Sequence, residues 1–400
     1  MAAAERRPAW QIIGWLCLAH VASMSVFSTY PALLPQLQAE WSMSNTGAGF
    51  VSGVFFAGYM AAVPVLTALT DRRDARRVYL ASSVVAALGS AGFGWLAHGP
   101  ASGAFFQLLV GVGLAGMYMP GLRALTDSTS GAAQTRAVSF YTASFMFGVS
   151  FSLVLASGIA AVAGWRWAFV WSALGPLAGA AIVVLLLPRR TPPAAQAGAH
   201  FLDFRPVLRN RPARRYILGY AVHCWELFGS RSWMVAFLTF AQSAVPAPLS
   251  PAGIQAVASL VSPFASIAGN EVALRSGRAR VIAAGMALSG IVTCALGFLA
   301  GLPWTALCAL VVLHLLLVMS DSSALTAGMV AASDPGLRGA TMAVHSTLGF
   351  ATGLVAPLVF GLALDLAGGN RTAFAWGIAF VTLGIGAVVA PALLGFLRRP

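Results

Sequence analysis

The sequence predicts an all-α membrane protein: twelve transmembrane helices in two parallel six-helix pseudo-repeats, with both termini cytoplasmic. Three observations carry the prediction. The chain of 400 residues is 58% hydrophobic and only 9% charged, where a soluble domain carries about 25% charged residues. Its apolar runs are long enough to span a bilayer, which takes about 20 residues each. Its arginines fall almost entirely into alternate loops.

Taken in order, the apolar runs are 10–34, 46–70, 78–97, 101–125, 137–161, 167–187, 216–240, 251–274, 281–300, 303–329, 340–366 and 374–397. The first follows Arg6 and Arg7, which superficially suggests a signal peptide. It runs well past the roughly 7–15 residues of a secretory apolar region, so it reads as a spanning helix. The second and third are separated by the charged loop 71–77, and the eighth and ninth by the basic loop 275–280. Gly164-Trp165-Arg166-Trp167 marks the turn into the sixth. The longest loop, 188–213, carries Thr191-Pro192-Pro193 and five arginines. It divides the chain into a bundle 1–188, a cytoplasmic linker 189–213 and a bundle 214–400.

The net charge of +13 comes without a single lysine. One set of loops and helix ends holds 21 arginines and the opposite set holds only Arg166 and Arg371. That bias fixes the orientation and accounts for the basic balance without a nucleic-acid partner. The expected setting is a cell inner (cytoplasmic) membrane, crossed many times. Cys17, Cys224, Cys294 and Cys308 fall inside apolar runs at spacings that fit neither a metal site nor a disulfide framework. No nucleotide-binding loop, zinc motif or nucleophile elbow appears, so no cofactor, metal or enzymatic activity is expected.

The halves repeat. Gly164-Trp165-Arg166-Trp167-Ala168-Phe169 matches Gly369-Asn370-Arg371-Thr372-Ala373-Phe374 at an offset of 205. Loop 71–77 matches loop 274–280, and His20 matches His223, both at an offset of 203. Six helices per half make this a parallel repeat, an arrangement found in transporters.

Intramembrane ionisable residues mark pathways, because one costs at least about 2.5–3.5 kcal/mol at the helix centre. His223, Glu226 and Arg231 share the seventh run. His223 and Glu226 are three apart and share a helix face. Glu226 and Arg231 point about 140° apart at 100° per residue, so each needs a partner on another helix, in water or in a solute. Glu226 is expected to carry a coupling proton, with His223 beside it. Arg231, always charged and bidentate, suits a carboxylate or similar anion. A permanent pair of Arg231 with Glu226 or Asp321, holding helices together, is the competing reading. Asp321, in Met319-Ser320-Asp321-Ser322-Ser323, is either a second proton site, an oxygen-rich sodium site or an interhelical hydrogen bond. His314 and His345 read as packing residues. Trp225 and Trp233 bracket the charged turn, as walls of an aromatic pocket or as interfacial residues.

These motifs resemble the major facilitator superfamily over nearly the whole chain. Asp71, Arg72, Arg76 and Arg77 are in register with the Gly-x-x-x-Asp-Arg-x-Gly-Arg-Arg signature after the second helix, although Thr67, Asp74 and Ala75 depart from it. The Gly-Trp-Arg-Trp turn and the Gly-rich fourth helix, with Gly111, Gly113 and Gly116, are common there. The resemblance implies a cytoplasmic latch, with Asp71, Arg72, Arg76 and Asp127 as candidates. It also implies that the first, fourth, seventh and tenth helices line the transport path. That adds His20 and Tyr118 to His223, Arg231, Trp225 and Trp233 as substrate-binding candidates, with Glu226 and Asp321 as proton-coupling candidates. Gln107 stands where drug antiporters carry an arginine, and Ser152-Leu153 and Ala156-Ser157 replace the antiporter glycine pattern of the fifth helix.

The expected function is a monomeric secondary transporter moving a small organic or inorganic anion by alternating access. Protons, or sodium, would be the coupling ion and the bilayer the surrounding partner. The alternative is proton-coupled efflux of drugs or hydrophobic cations, with aromatic side chains stacking on the substrate. A solute sensor is disfavoured because 188–213 is short for an output domain.

Overall fold

The computed structural model describes residues 9–70, 73–128, 131–187, 205–242, 249–334 and 337–397. Every regular element among them is helical. The α-helices are Ala9–Ser23 (α1), Thr29–Glu40 (α2), Asn45–Leu69 (α3), Ala75–Leu96 (α4), Pro100–Ser128 (α5), Gly131–Ala163 (α6), Trp165–Ser172 (α7), Leu174–Leu186 (α8), Arg205–Arg209 (α9), Arg211–Ala241 (α10), Pro251–Ser276 (α11), Arg278–Leu296 (α12), Trp304–Met319 (α13), Ser322–Ala332 (α14), Arg338–Leu366 (α15) and Ala373–Leu393 (α16).

Eleven stretches among the described residues are long and apolar enough to cross a membrane, against the twelve expected. The difference is the seventh span, α10. Its 31 residues are ample in length, but its histidine, serine, glutamate and arginine content makes it too polar to qualify by composition. Three spans are interrupted. The first breaks into α1 and α2 around a 3₁₀ turn at Met24–Val26, the sixth into α7 and α8 at Ala173, and the tenth into α13 and α14 at Ser320-Asp321. The stretch 205–213, expected to be linker, is largely helical: α9 occupies Arg205–Arg209 and α10 begins at Arg211.

Local chemistry sets the helix ends. Asn210 accepts from the Ala213 N–H at 3.0 Å and starts α10, with a proline in the first turn. Ser250 and Thr372 cap α11 and α16 in the same way. The repeated Gly-x-Arg motif has a backbone reason. Gly164 (φ 86°) and Gly369 (φ 90°) both take a conformation that side-chain-bearing residues avoid. Gly164 thereby lets α7 start directly after α6, and Arg166 donates to the Ala97 carbonyl at 3.2 Å while lying over the Trp165 ring.

The chain divides into two compact units. The first comprises 1–29, 58–97 and 105–197; the second comprises 30–57, 98–104 and 198–400. In the first, α1 packs on α6 and α8, and α4 on α7 and α8. In the second, α10 runs through the middle, touching α9 and α11 through α16. That position explains why Leu227 through Leu238 are buried without a break: a helix covered on all sides shows no amphipathic stripe. Large apolar side chains such as Val162, Leu185, Leu366 and Leu393 project outward, as expected where lipid is the solvent.

Close helix approach depends on small residues. A Cβ at Gly269 of α11 would collide with the Ser320 carbonyl at the tenth-span break, whereas one at Gly158 of α6 would meet nothing within 4 Å. Gly269→Val is therefore expected to destabilise the second unit by about 1–3 kcal/mol, as over-packing does. Gly158→Ala should be neutral or slightly stabilising, through helix propensity. Thermal unfolding of the two variants in detergent checks the contrast.

Candidate functional site

The polar residues of the spans gather into one cluster in each unit. In the first unit the centre is His20 of α1, which is fully buried. Its Nδ1 lies 2.8 Å from Ser144 Oγ of α6. Ser144 Oγ also lies within reach of the Tyr141 carbonyl, so the Ser144 hydroxyl links the imidazole to the backbone of α6. Nε2 has no hydrogen-bond partner among the described residues. The ring stacks on Tyr141 at 4.5 Å and tilts against Tyr118 of α5 at 5.2 Å. The Tyr141 hydroxyl donates to the Tyr118 carbonyl. His20 and Tyr118, chosen from the sequence, do come together, with Tyr141, Ser144 and Phe145 as unforeseen neighbours.

In the second unit α10 supplies the cluster. His223, Glu226 and Arg231 are all buried. The Glu226 carboxylate faces α12, where Ser289 Oγ lies 3.0 Å from Oε2 and Thr293 Oγ1 2.5 Å from Oε1. Thr293 in turn lies 3.0 Å from His314 Nδ1 on α13. Two proton arrangements satisfy these heavy atoms. Either Nδ1–H donates to Thr293, which donates to an ionised Glu226, or a protonated Glu226 donates to Thr293, which donates to Nδ1. Ser289 and Thr293, four apart, share one face of α12.

Asp321 turns to His223, with Oδ1 2.8 Å from Nδ1. The separation is that of an ion pair, but the same Oδ1 lacks hydrogen-bond geometry; the distance establishes proximity and no more. His223 also stacks on Tyr220, and Tyr220 on His345 at 3.8 Å. Hence the two carboxylates have partners other than Arg231: hydroxyls for Glu226 and an imidazole for Asp321. Among the described residues, neither carboxylate is bonded to Arg231 in this structure. Nor do the neighbouring serines surround Asp321 as a cation cage. Ser320 donates to the Leu317 carbonyl and Ser323 pairs with Ser266. Among the described residues no group of three or more His, Cys, Asp or Glu could hold a metal.

The two tryptophans have other work. Trp225 Nε1 donates to the Thr382 carbonyl of α16, and Trp233 Nε1 to the Pro357 carbonyl of α15, both at 2.9 Å. Trp233 is fully enclosed and stacked on Phe360. Trp233 is thus packed inside the second unit, whereas Trp225 is tied to α16 through its N–H and remains partly exposed. Of the latch candidates, Asp71, Arg72 and the Asp127 side chain lie outside the described residues. Arg76 donates its guanidinium to the Val184 carbonyl of α8 and its backbone N–H to Asp74, the N-cap of α4.

Sequence reasoning missed Ser289 and Thr293. His314 and His345, read from the sequence as packing residues, lie beside Thr293 and Tyr220. Nothing in the pattern pointed to Thr293, because a hydroxyl in a spanning helix ordinarily bonds its own backbone.

Comparison with known proteins agrees with this architecture. The family model described as Major Facilitator Superfamily matches residues 16–357. No curated protein matches the sequence. Among solved structures, a bacterial homolog of the human lysosomal transporter Spinster, inward-facing and unoccupied, superposes with TM-score 0.79 at 16% identity, covering 99% of this chain and 97% of that one. A POT family transporter in complex with 5-aminolevulinic acid gives TM-score 0.76 at 14% identity, covering 95% and 94%. A nucleoside transporter gives 0.74 at 13% identity, covering 97% and 100%. These identities show a shared fold; the substrates differ from one to the next. A match to the family model across most of the chain shows more than fold: this multi-pass membrane protein belongs to the major facilitator superfamily, a family of secondary transporters and not of enzymes.

Proposed function

We propose that the chain moves a small anion, organic or inorganic, together with protons across a cytoplasmic membrane. The two six-helix halves, joined by 189–213, would expose the path to each side in turn. The observation that carries this reading is the Glu226–Thr293–His314 chain. It joins a carboxyl to an imidazole through one hydroxyl, buried at membrane depth. Among the described residues the Glu226 carboxylate is held by hydroxyls, and no cation is paired with it. Protonation therefore lowers the cost of its burial, which is what a reversible proton carrier requires. Asp321, with Oδ1 2.8 Å from His223 Nδ1, is a second buried carboxyl beside an imidazole. Arg231 supplies the fixed positive charge for the solute, since guanidinium stays protonated and recognises carboxylate or phosphate geometry. His20 and Tyr118 offer polar and aromatic contacts from the first unit.

The efflux alternative draws less support. It relies on Trp225, Trp233, Met117 and Tyr118 as a stacking surface with Glu226 and Asp321 as the attracting charges, and of these Trp233 and Met117 are fully buried.

Small carboxylates and inorganic anions, screened on purified protein, should raise the thermal midpoint by a few degrees at saturation, since about 2.7 kcal/mol accrues at a hundredfold excess over Kd. Arg231→Ala should erase that shift while leaving the unliganded protein folded. Stabilisation by hydrophobic cations instead, unchanged in Arg231→Ala, would favour efflux. In proteoliposomes Glu226→Gln should uncouple solute flux from an imposed pH gradient; flux that still tracks the gradient would sink the coupling assignment. Thr293→Val, which removes the bridging hydroxyl but keeps its shape, should slow coupled flux by about tenfold or more, the factor set by losing one hydrogen bond to a charged group.

A further inference from the structure

Asp365, near the end of α15, reaches the N-terminus of α3. Its Oδ1 accepts from the Asn45 backbone N–H at 3.1 Å and from Asn45 Nδ2 at 2.7 Å. Its Oδ2 accepts from the Thr46 N–H at 2.8 Å and from Thr46 Oγ1 at 2.6 Å. One carboxylate thus takes four hydrogen bonds from two adjacent residues at the positive end of a helix, where negative charge is favoured.

The helix does not need Asp365 in order to start. Ser44 already accepts from the Gly47 N–H at 3.0 Å, the ordinary N-cap bond. The Asp365 bonds are additional, and they join α3 to α15. Beyond them the two helices touch backbone to backbone: a Cβ at Gly49 would collide with the Pro357 carbonyl, and one at Gly53 with the Leu354 carbonyl. Phe56 completes the seam, 4.6 Å from the Phe228 ring of α10. At 100° per residue Asn45, Gly49, Ser52, Gly53 and Phe56 share a face about 100° wide. Tyr30 of α2 donates to the Ala48 carbonyl and Gln38 to the Asn45 side chain, so α2 and the first half of α3 form one braced hairpin.

Residues 30–57, which make up this hairpin, belong to the second unit, whereas the chain on either side of them, 1–29 and 58–97, belongs to the first. The hairpin lies at the end of the spans opposite the arginine-rich loops. We propose that Asp365 is the catch of a gate on the non-cytoplasmic side. It positions the α2–α3 hairpin on α15 while that side is shut, and its four bonds break each time that side opens. The rest of the seam is glycine and apolar surface, which gives close approach without fixing register. The carboxylate supplies the register, and Ser44 keeps α3 capped after release.

The test needs no substrate, so it stands or falls apart from the anion and proton assignments. Ser52 is buried on the seam face and Ser52→Cys is nearly isosteric. In a background lacking Cys17, Cys224, Cys294 and Cys308, its reaction with a membrane-impermeant maleimide added outside intact cells reports opening. Asp365→Ala should raise the labelling rate by roughly tenfold or more, as loss of hydrogen bonds to a charged group implies. Thr46→Val should raise it less, and Asp365→Asn, which retains an acceptor, should lie between Asp365→Ala and the parent. Ser83→Cys, buried in the first unit, should stay protected throughout. Labelling at Ser52→Cys equal to the parent overturns the proposal. So does an increase reached only from the cytoplasmic face of inverted vesicles, or an equal increase at Ser83→Cys, which would mean general loosening. Should Asp365→Ala fail to accumulate, Thr46→Val and Asp365→Asn decide by the same comparison.

Discussion

A bilayer interior offers polar groups nothing to bond, so every one that enters it must find its partner inside the protein. That constraint organises the second unit around α10. The helix carries His223, Glu226 and Arg231 at depths where a charge costs several kcal/mol if exposed to lipid. It is accordingly the helix surrounded by α9 and by α11 through α16, and Glu226 turns to α12 while His223 turns to the α13–α14 break. The break itself follows from the same need. Asp321 interrupts the tenth span where Ser320 and Ser323 can bond a carbonyl and Ser266, which keeps the interrupted backbone within protein and away from lipid.

The constraint also explains why glycine and serine matter more here than helix propensity. With lipid as apolar as leucine, packing and interhelical hydrogen bonds must draw helices together. Gly269 lets α11 touch the Ser320 carbonyl, and Gly49 and Gly53 let α3 touch α15. Hydroxyls then add specificity. Ser25 and Ser152 in the first unit bond backbone across helices at 2.6 Å each, while Ser289 and Thr293 in the second reach a carboxylate.

How much could be read in advance depends on the range of the signal. Spans, repeat and the turn at Gly164 are local or periodic, and the motif repeated at Gly369 carries the same positive φ in the structure. The pairing of His20 with the Tyr118 region rested on family resemblance, and the structure brings those side chains together. Partner choice was not legible. Trp225 and Trp233 look the same in sequence whether they wall a cavity or donate to Thr382 and Pro357. Thr293 and Asp365 were passed over for a related reason. Their partners lie 67 and about 320 positions away, and one sequence records composition along the chain without recording which helix faces which. Asp365 also sits at a span end, where an acidic residue excites no suspicion because water is close.

Thr293 shows why the missing information is functional and not merely geometric. A hydroxyl can donate in only one direction at a time, so the Glu226–Thr293–His314 chain has two ordered states that share the same heavy atoms. Moving from one to the other shifts a proton from carboxyl to imidazole with no helix displaced. Replacing Thr293 with serine keeps that option; valine of the same shape removes it. A direct Glu226–Arg231 pair, by contrast, would fix both charges in every state and leave no reason for the carboxyl to change protonation. In the proposed reading, with the fixed cation and the carboxyl on different faces of one helix, solute charge and coupling charge would be separate, and the two sites would influence each other through α10 without competing for the same contact.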